Sequence, residues 1–100
     1  MTKITQSLAD GPLFSLGQVV ATPGAVNALE LASTLPQALL HRHEHGDWGE
    51  MSEDDQKLNW QALSSGERLL SAYILSDGVR VWIITEADRF ATTLLLPSDY

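Results

Sequence analysis

The dipeptide Asp77-Gly78 constrains this chain more than any other feature, because it separates two apolar runs, Leu69 to Ser76 and Val79 to Glu86. Both residues tolerate positive φ, so Asp-Gly between such runs predicts a β-hairpin. A two-residue loop would set Ser76 against Val79, Ile74 against Val81 and Tyr73 against Trp82. Glu86-Ala87-Asp88-Arg89 then turns the chain, and Phe90 to Leu96 supplies a third strand. Pro97 ends it, having no N–H to donate. In that register Leu70, Ala72, Ile74, Val79, Val81, Ile83, Leu94 and Leu96 form an aliphatic core face. The opposite face carries Ser71, Tyr73, Arg80, Trp82, Ile84, Glu86 and Thr93.

Upstream, residues 1–12 read as a loose polar arm, and 13–100 as a single domain. Leu13 to Ala21 suits a strand in which Gly17 marks a bulge or a close approach. Thr22-Pro23 is a helix start, with Thr capping and Pro in the first turn, and the helix runs to about Ser33. Thr34 is placed to cap a second helix through Leu35, Leu39 and Leu40, ending near Gly46. Ser52-Glu53-Asp54-Asp55 resembles a capping box for a third, with Leu58, Ala62 and Leu63 inward and Ser65-Gly66 at its end. Between these helices, Gly46-Asp47-Trp48-Gly49 has the composition of a tight corner, with Trp48 buried and Asp47 bonding backbone N–H groups. Helices segregated from strands predict an α+β domain. Its helices pack on one face of an antiparallel sheet that contains the C-terminal meander, with an N-terminal strand added.

With 100 residues, one core can form without staples, and the absence of cysteine removes disulfides and thiolate chemistry. That composition fits a cytoplasmic protein, and no apolar run approaches the ~18 residues of a membrane span. The net charge of −7 opposes direct binding to a nucleic-acid backbone, which needs a basic surface. Six acids lie between Glu44 and Asp55 with no lysine or arginine among them, which points to a basic protein partner. The expected contact residues are Glu50, Glu53, Asp54 and Asp55, with Tyr73, Arg80 and Trp82 from the mixed sheet face.

His41 and His45 lie one helical turn apart and could chelate together, while His43 points away from them. No HExxH is present, and exposed histidines at a helix end are the plainer reading, so neither a metal nor another cofactor is expected. The competing enzymatic reading takes His43, Asp47, Arg80 and Arg89 as the base, acid and phosphate-binding cations of a small ribonuclease of barnase-like or RelE-like layout. It requires those four side chains to converge.

His43-Glu44-His45-Gly46-Asp47-Trp48-Gly49, read as HxxGDWG, is followed by Trp82-Ile83-Ile84-Thr85-Glu86-Ala87-Asp88-Arg89 and by Leu95-Leu96-Pro97 with Tyr100. From about Leu16 onward this pattern resembles a group of small, uncharacterised, plasmid-related bacterial proteins. The resemblance implies a mobile-element setting and that the histidine matching His43 recurs, whereas His41 and His45 stand outside the pattern. Phe90 replaces the small polar residue expected there. The resemblance supplies no mechanism; the charge balance, the acidic cluster and the lack of a catalytic motif point, in that setting, to an accessory protein that acts by binding another protein.

Overall fold

The computed structural model describes residues 11–100; most of the N-terminal arm lies outside them. Strand β1 (Gln18–Ala21) leads into helices α1 (Pro23–Leu31), α2 (Pro36–Glu44) and α3 (Glu53–Ser65). Strands β2 (Leu69–Ile74), β3 (Arg80–Thr85) and β4 (Ala91–Leu95) follow, and a 3-10 turn at Pro97–Asp99 ends the chain. The sheet order is β1-β4-β3-β2. Strands β2 to β4 form the antiparallel meander, and β1 adds to it in parallel beside β4, so the α+β sheet is mixed.

The hairpin turns at Asp77-Gly78, but its loop has three residues, not two. Leu75 and Val79 close it: the Leu75 N–H donates to the Val79 carbonyl at 2.8 Å and the Gly78 N–H to the Leu75 carbonyl at 2.9 Å. Gly78 takes φ +88°, so the loop is a type I turn followed by a left-handed residue. That extra residue shifts the register by one, setting Tyr73 against Val81 and Ala72 against Trp82. Because side chains alternate, the shift turns β2 over. Leu69, Ser71 and Tyr73 therefore join Val81, Ile83, Thr85, Thr92 and Leu94 on the inner face, and Ile74 is 48% exposed instead of buried.

Leu29, Leu39 and Leu40 pack on that inner face with Ala25, Ala28, Tyr73, Leu75, Val81, Ile83 and Leu94. Thr22 caps α1 as its sequence suggests, its hydroxyl accepting from the Ala25 N–H. Helix α2 differs: Leu35 is its N-cap and offers no side-chain acceptor, while the Thr34 hydroxyl donates backward to the Ala32 carbonyl. Pro36 in the first turn starts the helix without a cap. Ser52 caps α3, and Gly66 ends it at φ +77°. Gly17 has φ +64°, and a Cβ there would meet the Phe90 carbonyl carbon at 2.3 Å, so this glycine permits a close approach of backbones.

Helix α3 lies along the free edge of β2. The Asn59 amide donates to the Leu70 carbonyl at 2.7 Å and its oxygen accepts from the Leu70 N–H at 3.1 Å. This pairing rotates the helix so that Asn59 and Ala62 face inward and Leu58, expected in the core, is 60% exposed. Two residues on, the Ala72 N–H donates to the Trp48 carbonyl and the Ala72 carbonyl accepts from the Glu50 N–H. An edge whose outward groups are satisfied in this way offers little to pair with another strand. Replacing Asn59 with Leu keeps the volume but leaves both Leu70 groups unpaired, and should cost about 1–2 kcal/mol. Denaturant unfolding checks this; equal stability would show that water replaces the amide.

Candidate functional site

The corner between α2 and α3 holds the sequence motif around His43. Leu39 and Leu40 put the buried stripe of α2 inward, and His43, one turn further on, continues that stripe into the core with 0% exposure. It is not one of the exposed helix-end histidines expected from sequence. Its Nδ1 lies 2.6 Å from the Ser71 hydroxyl and its Nε2 2.9 Å from that of Thr85. Thr85 in turn lies 2.7 Å from the Thr92 hydroxyl, which donates to the Leu16 carbonyl at 2.7 Å.

That terminal carbonyl sets the direction of every proton in the row. A carbonyl can only accept, so the Thr92 proton is committed to Leu16, and Thr92 must accept from Thr85. The Thr85 hydroxyl then accepts from His43 Nε2–H, and Nδ1 accepts from Ser71. The ring is the neutral Nε2–H tautomer. Burial pushes its pKa down to about 4. A base held between two hydroxyls, with no exposed face, serves as a strut joining α2, β2, β3, β4 and the segment before β1.

Aromatic rings enclose this strut. Phe14 meets His43 edge to face at 5.1 Å between centroids and stacks on Trp48 at 6.3 Å. Trp48, buried as its glycine-framed position predicts, also meets His43 and Trp60 edge to face. Its indole N–H has no hydrogen-bond acceptor among the described residues. Gly46 and Gly49 take φ of +86° and +77°, which lets the corner turn tightly on both sides of the ring. The Asp47 carboxylate accepts from the Gly49 N–H, as expected, and from Arg42 at 2.7 and 3.3 Å. That guanidinium holds the Asp47 pKa below the usual carboxylate range. The Tyr73 hydroxyl donates to the Asp47 carbonyl at 2.6 Å, and burial pushes its pKa up to about 12.

The four residues of the nucleolytic reading do not form one site. His43 is enclosed, Asp47 is paired with Arg42, and Arg80 is exposed on the outer sheet face opposite the helices. Arg89 spends its guanidinium on the carbonyls of Ala62, Glu67, Glu86 and Ala87. In this way it closes the β3–β4 turn and supports its own left-handed backbone at φ +63°.

Of the expected contact residues, Glu50, Glu53, Asp54, Asp55 and Arg80 are exposed and Trp82 is partly so. Tyr73 is 1% exposed, because the register shift carries it to the inner face, and it is withdrawn from any contact surface. On the outer face Trp82 meets Tyr100 edge to face at 5.8 Å, with Arg68 beside the Tyr100 ring. Two hollows adjoin there. One, of about 410 Å³, runs from Asp55 and Leu58 to Arg68 and Leu70. The other, of about 240 Å³, continues from Arg68 and Leu70 to Trp82, Ile84 and Tyr100. Sequence reasoning missed Arg68, Leu70 and Tyr100 as members of this surface; only the one-residue shift places Leu70 outward beside Ile84.

No helix among the described residues is long and apolar enough to cross a membrane. Compared with protein-family models, curated proteins and solved structures, the chain matches none of them.

Proposed function

We propose that this chain is an accessory protein of a mobile element, acting in the cytoplasm by binding a basic protein partner. The observation that carries the reading is the pair of adjoining hollows. They join the acidic start of α3 at Asp55 to the aromatic floor of Trp82 and Tyr100 in one continuous surface. Such a surface suits a partner segment that sets Lys or Arg against Glu53, Asp54 and Asp55 and an apolar anchor against Trp82. A host or defence protein whose own basic face binds nucleic acid has this chemistry.

Three of the chain's six cations support the same reading. Arg42 is paired with Asp47 and Arg68 with Glu86, and Arg89 caps carbonyls. Phosphate binding needs several unengaged cations on one face.

The test captures partners from host lysate at low and high salt. It uses wild type, the triple variant Glu53→Gln/Asp54→Asn/Asp55→Asn, and Trp82→Ala. The expected result is a specific partner whose capture weakens with salt and falls at least about tenfold in both variants, as loss of an interface anchor worth more than ~1.4 kcal/mol requires. Capture indifferent to salt and to both variants would overturn the proposal. Cleavage of RNA or DNA by the purified wild type would replace it with the nuclease reading.

A further inference from the structure

The His41, Glu44 and His45 side chains plays no part in the surface just described. They follow one another at i, i+3 and i+4 across the last turn of α2 and its C-cap His45, a spacing that brings the three together at one side of the helix end. Each offers one ligand atom, and these atoms lie within 4.8 Å of one another. We propose that they form a surface site for a divalent transition-metal ion of the zinc class, two imidazoles and a carboxylate holding the ion and solvent completing its shell.

Four observations beyond the spacing bear on this. The first concerns His45, whose Nδ1 lies 2.7 Å from the His41 carbonyl. A carbonyl only accepts, so this nitrogen carries the proton and leaves Nε2 as the nitrogen able to ligate. Metal-binding histidines are held in the same manner, the second ring nitrogen donating to a carbonyl or carboxylate. Next, the two imidazoles already lie side by side, with centroids 4.1 Å apart. Zinc with bonds of 2.0–2.1 Å needs ligand atoms about 3.3 Å apart, so small side-chain rotations close the set.

Third, no cation among the described residues competes for the position. Arg42, the neighbouring base, is drawn away by Asp47 and lies over the Tyr73 ring at 4.5 Å. Glu44 makes no ion pair among the described residues. Fourth, the site sits at the helix C-terminus, where the backbone dipole favours positive charge. The Leu13 N–H donates to the Glu44 carbonyl at 2.8 Å and fixes the backbone on which the carboxylate stands. Mixed nitrogen and oxygen donors favour zinc, nickel or copper over magnesium or calcium, which take oxygen alone. Three protein ligands with an open position make a site able to bind an anion or a partner's side chain.

The experiment titrates untagged full-length protein with zinc chloride against a chromophoric chelator. Wild type is compared with His41→Ala, His45→Ala, the double variant and Glu44→Gln. Thermal melts in chelator confirm that each variant folds. The expected result is one zinc per chain, with affinity falling at least about 100-fold on loss of either imidazole, more than the 10–100-fold of an outer-shell partner. Glu44→Gln should fall about tenfold or more on the same scale. Copper(II) loaded in place of zinc should show two nitrogen donors by electron paramagnetic resonance. Zinc uptake by wild type no greater than by the double variant would overturn the proposal. An unchanged affinity in Glu44→Gln would overturn the three-ligand site.

Discussion

Replacing Trp48 with Ala should cost about 3–5 kcal/mol, the range for truncating a large buried ring. Trp48 is 2% exposed and packs with Ala62 and Leu69, with Phe14, Met51 and Leu63 around them. Truncation leaves a void that the corner cannot collapse into. Gly49 is fixed within reach of the Ala72 carbonyl, and the Trp48 carbonyl is itself held by the Ala72 N–H. The loss would also uncover His43 and Phe14, which meet the indole directly. For a chain of 100 residues the melting temperature should drop by roughly 12–40 °C, at about 4–8 °C per kcal/mol. Calorimetry checks it. A melting temperature within a few degrees of wild type would mean that Trp48 is not the keystone of the corner.

The second large effect is on pH dependence. His43 is neutral when folded, with its pKa pushed down to about 4 by burial, against 6.5 for the ordinary imidazole. Between those values the unfolded chain binds the proton and the folded chain does not. Stability therefore rises with pH across the window, is fully present above about pH 6.5, and is lost as pH falls toward 4. The full loss is about 3 kcal/mol, from roughly 2.5 units at 1.36 kcal/mol each. Among the described residues, the ring's hydrogen-bond and aromatic partners are Ser71, Thr85, Phe14 and Trp48, and none carries a charge that would shelter the imidazolium. Asp47 and Asp99, whose pKa values are lowered by Arg42 and Thr22 respectively, weaken the fold only at lower pH, below the ordinary carboxylate range. Urea unfolding from pH 7.5 to 4.5, with chelator present, measures the slope. A flat profile over that range would show that His43 is not held neutral, and the ring nitrogen shifts should confirm the Nε2–H tautomer.

The sequence was legible where local chemistry decides and illegible where one residue of loop length does. Asp77-Gly78 marks the hairpin, Thr22 and Ser52 cap their helices, and Gly46 and Gly49 frame a buried Trp48. The faces of β2 were another matter. Leu69-Leu70-Ser71-Ala72-Tyr73-Ile74 has apolar residues on both sides, so alternation could not distinguish a two-residue loop from a three-residue one. In β3 it could, because Arg80 and Trp82 alternate with Val81 and Ile83, and that strand was assigned correctly. His43 was legible in principle. Its spacing of three and four residues from Leu40 and Leu39 extends the buried stripe of α2, a signal masked by its neighbours His41 and His45. His41 and His45 were legible from sequence as a pair one helical turn apart; the order HxxEH adds Glu44 beside them, which a search for HExxH does not find.

The position of β1 at the edge of the sheet has a consequence for the route by which the chain folds. Every contact within β2, β3 and β4 joins segments separated by a short turn, so the meander can form early and at small entropic cost. Gln18 pairs with Ala91, and that parallel pairing must close a loop containing all three helices. The meander is then the expected nucleus, and truncations in β1 should speed unfolding while leaving the folding rate nearly unchanged. Thr92, which ties Leu16 to the His43 strut, becomes the latch that registers this last strand.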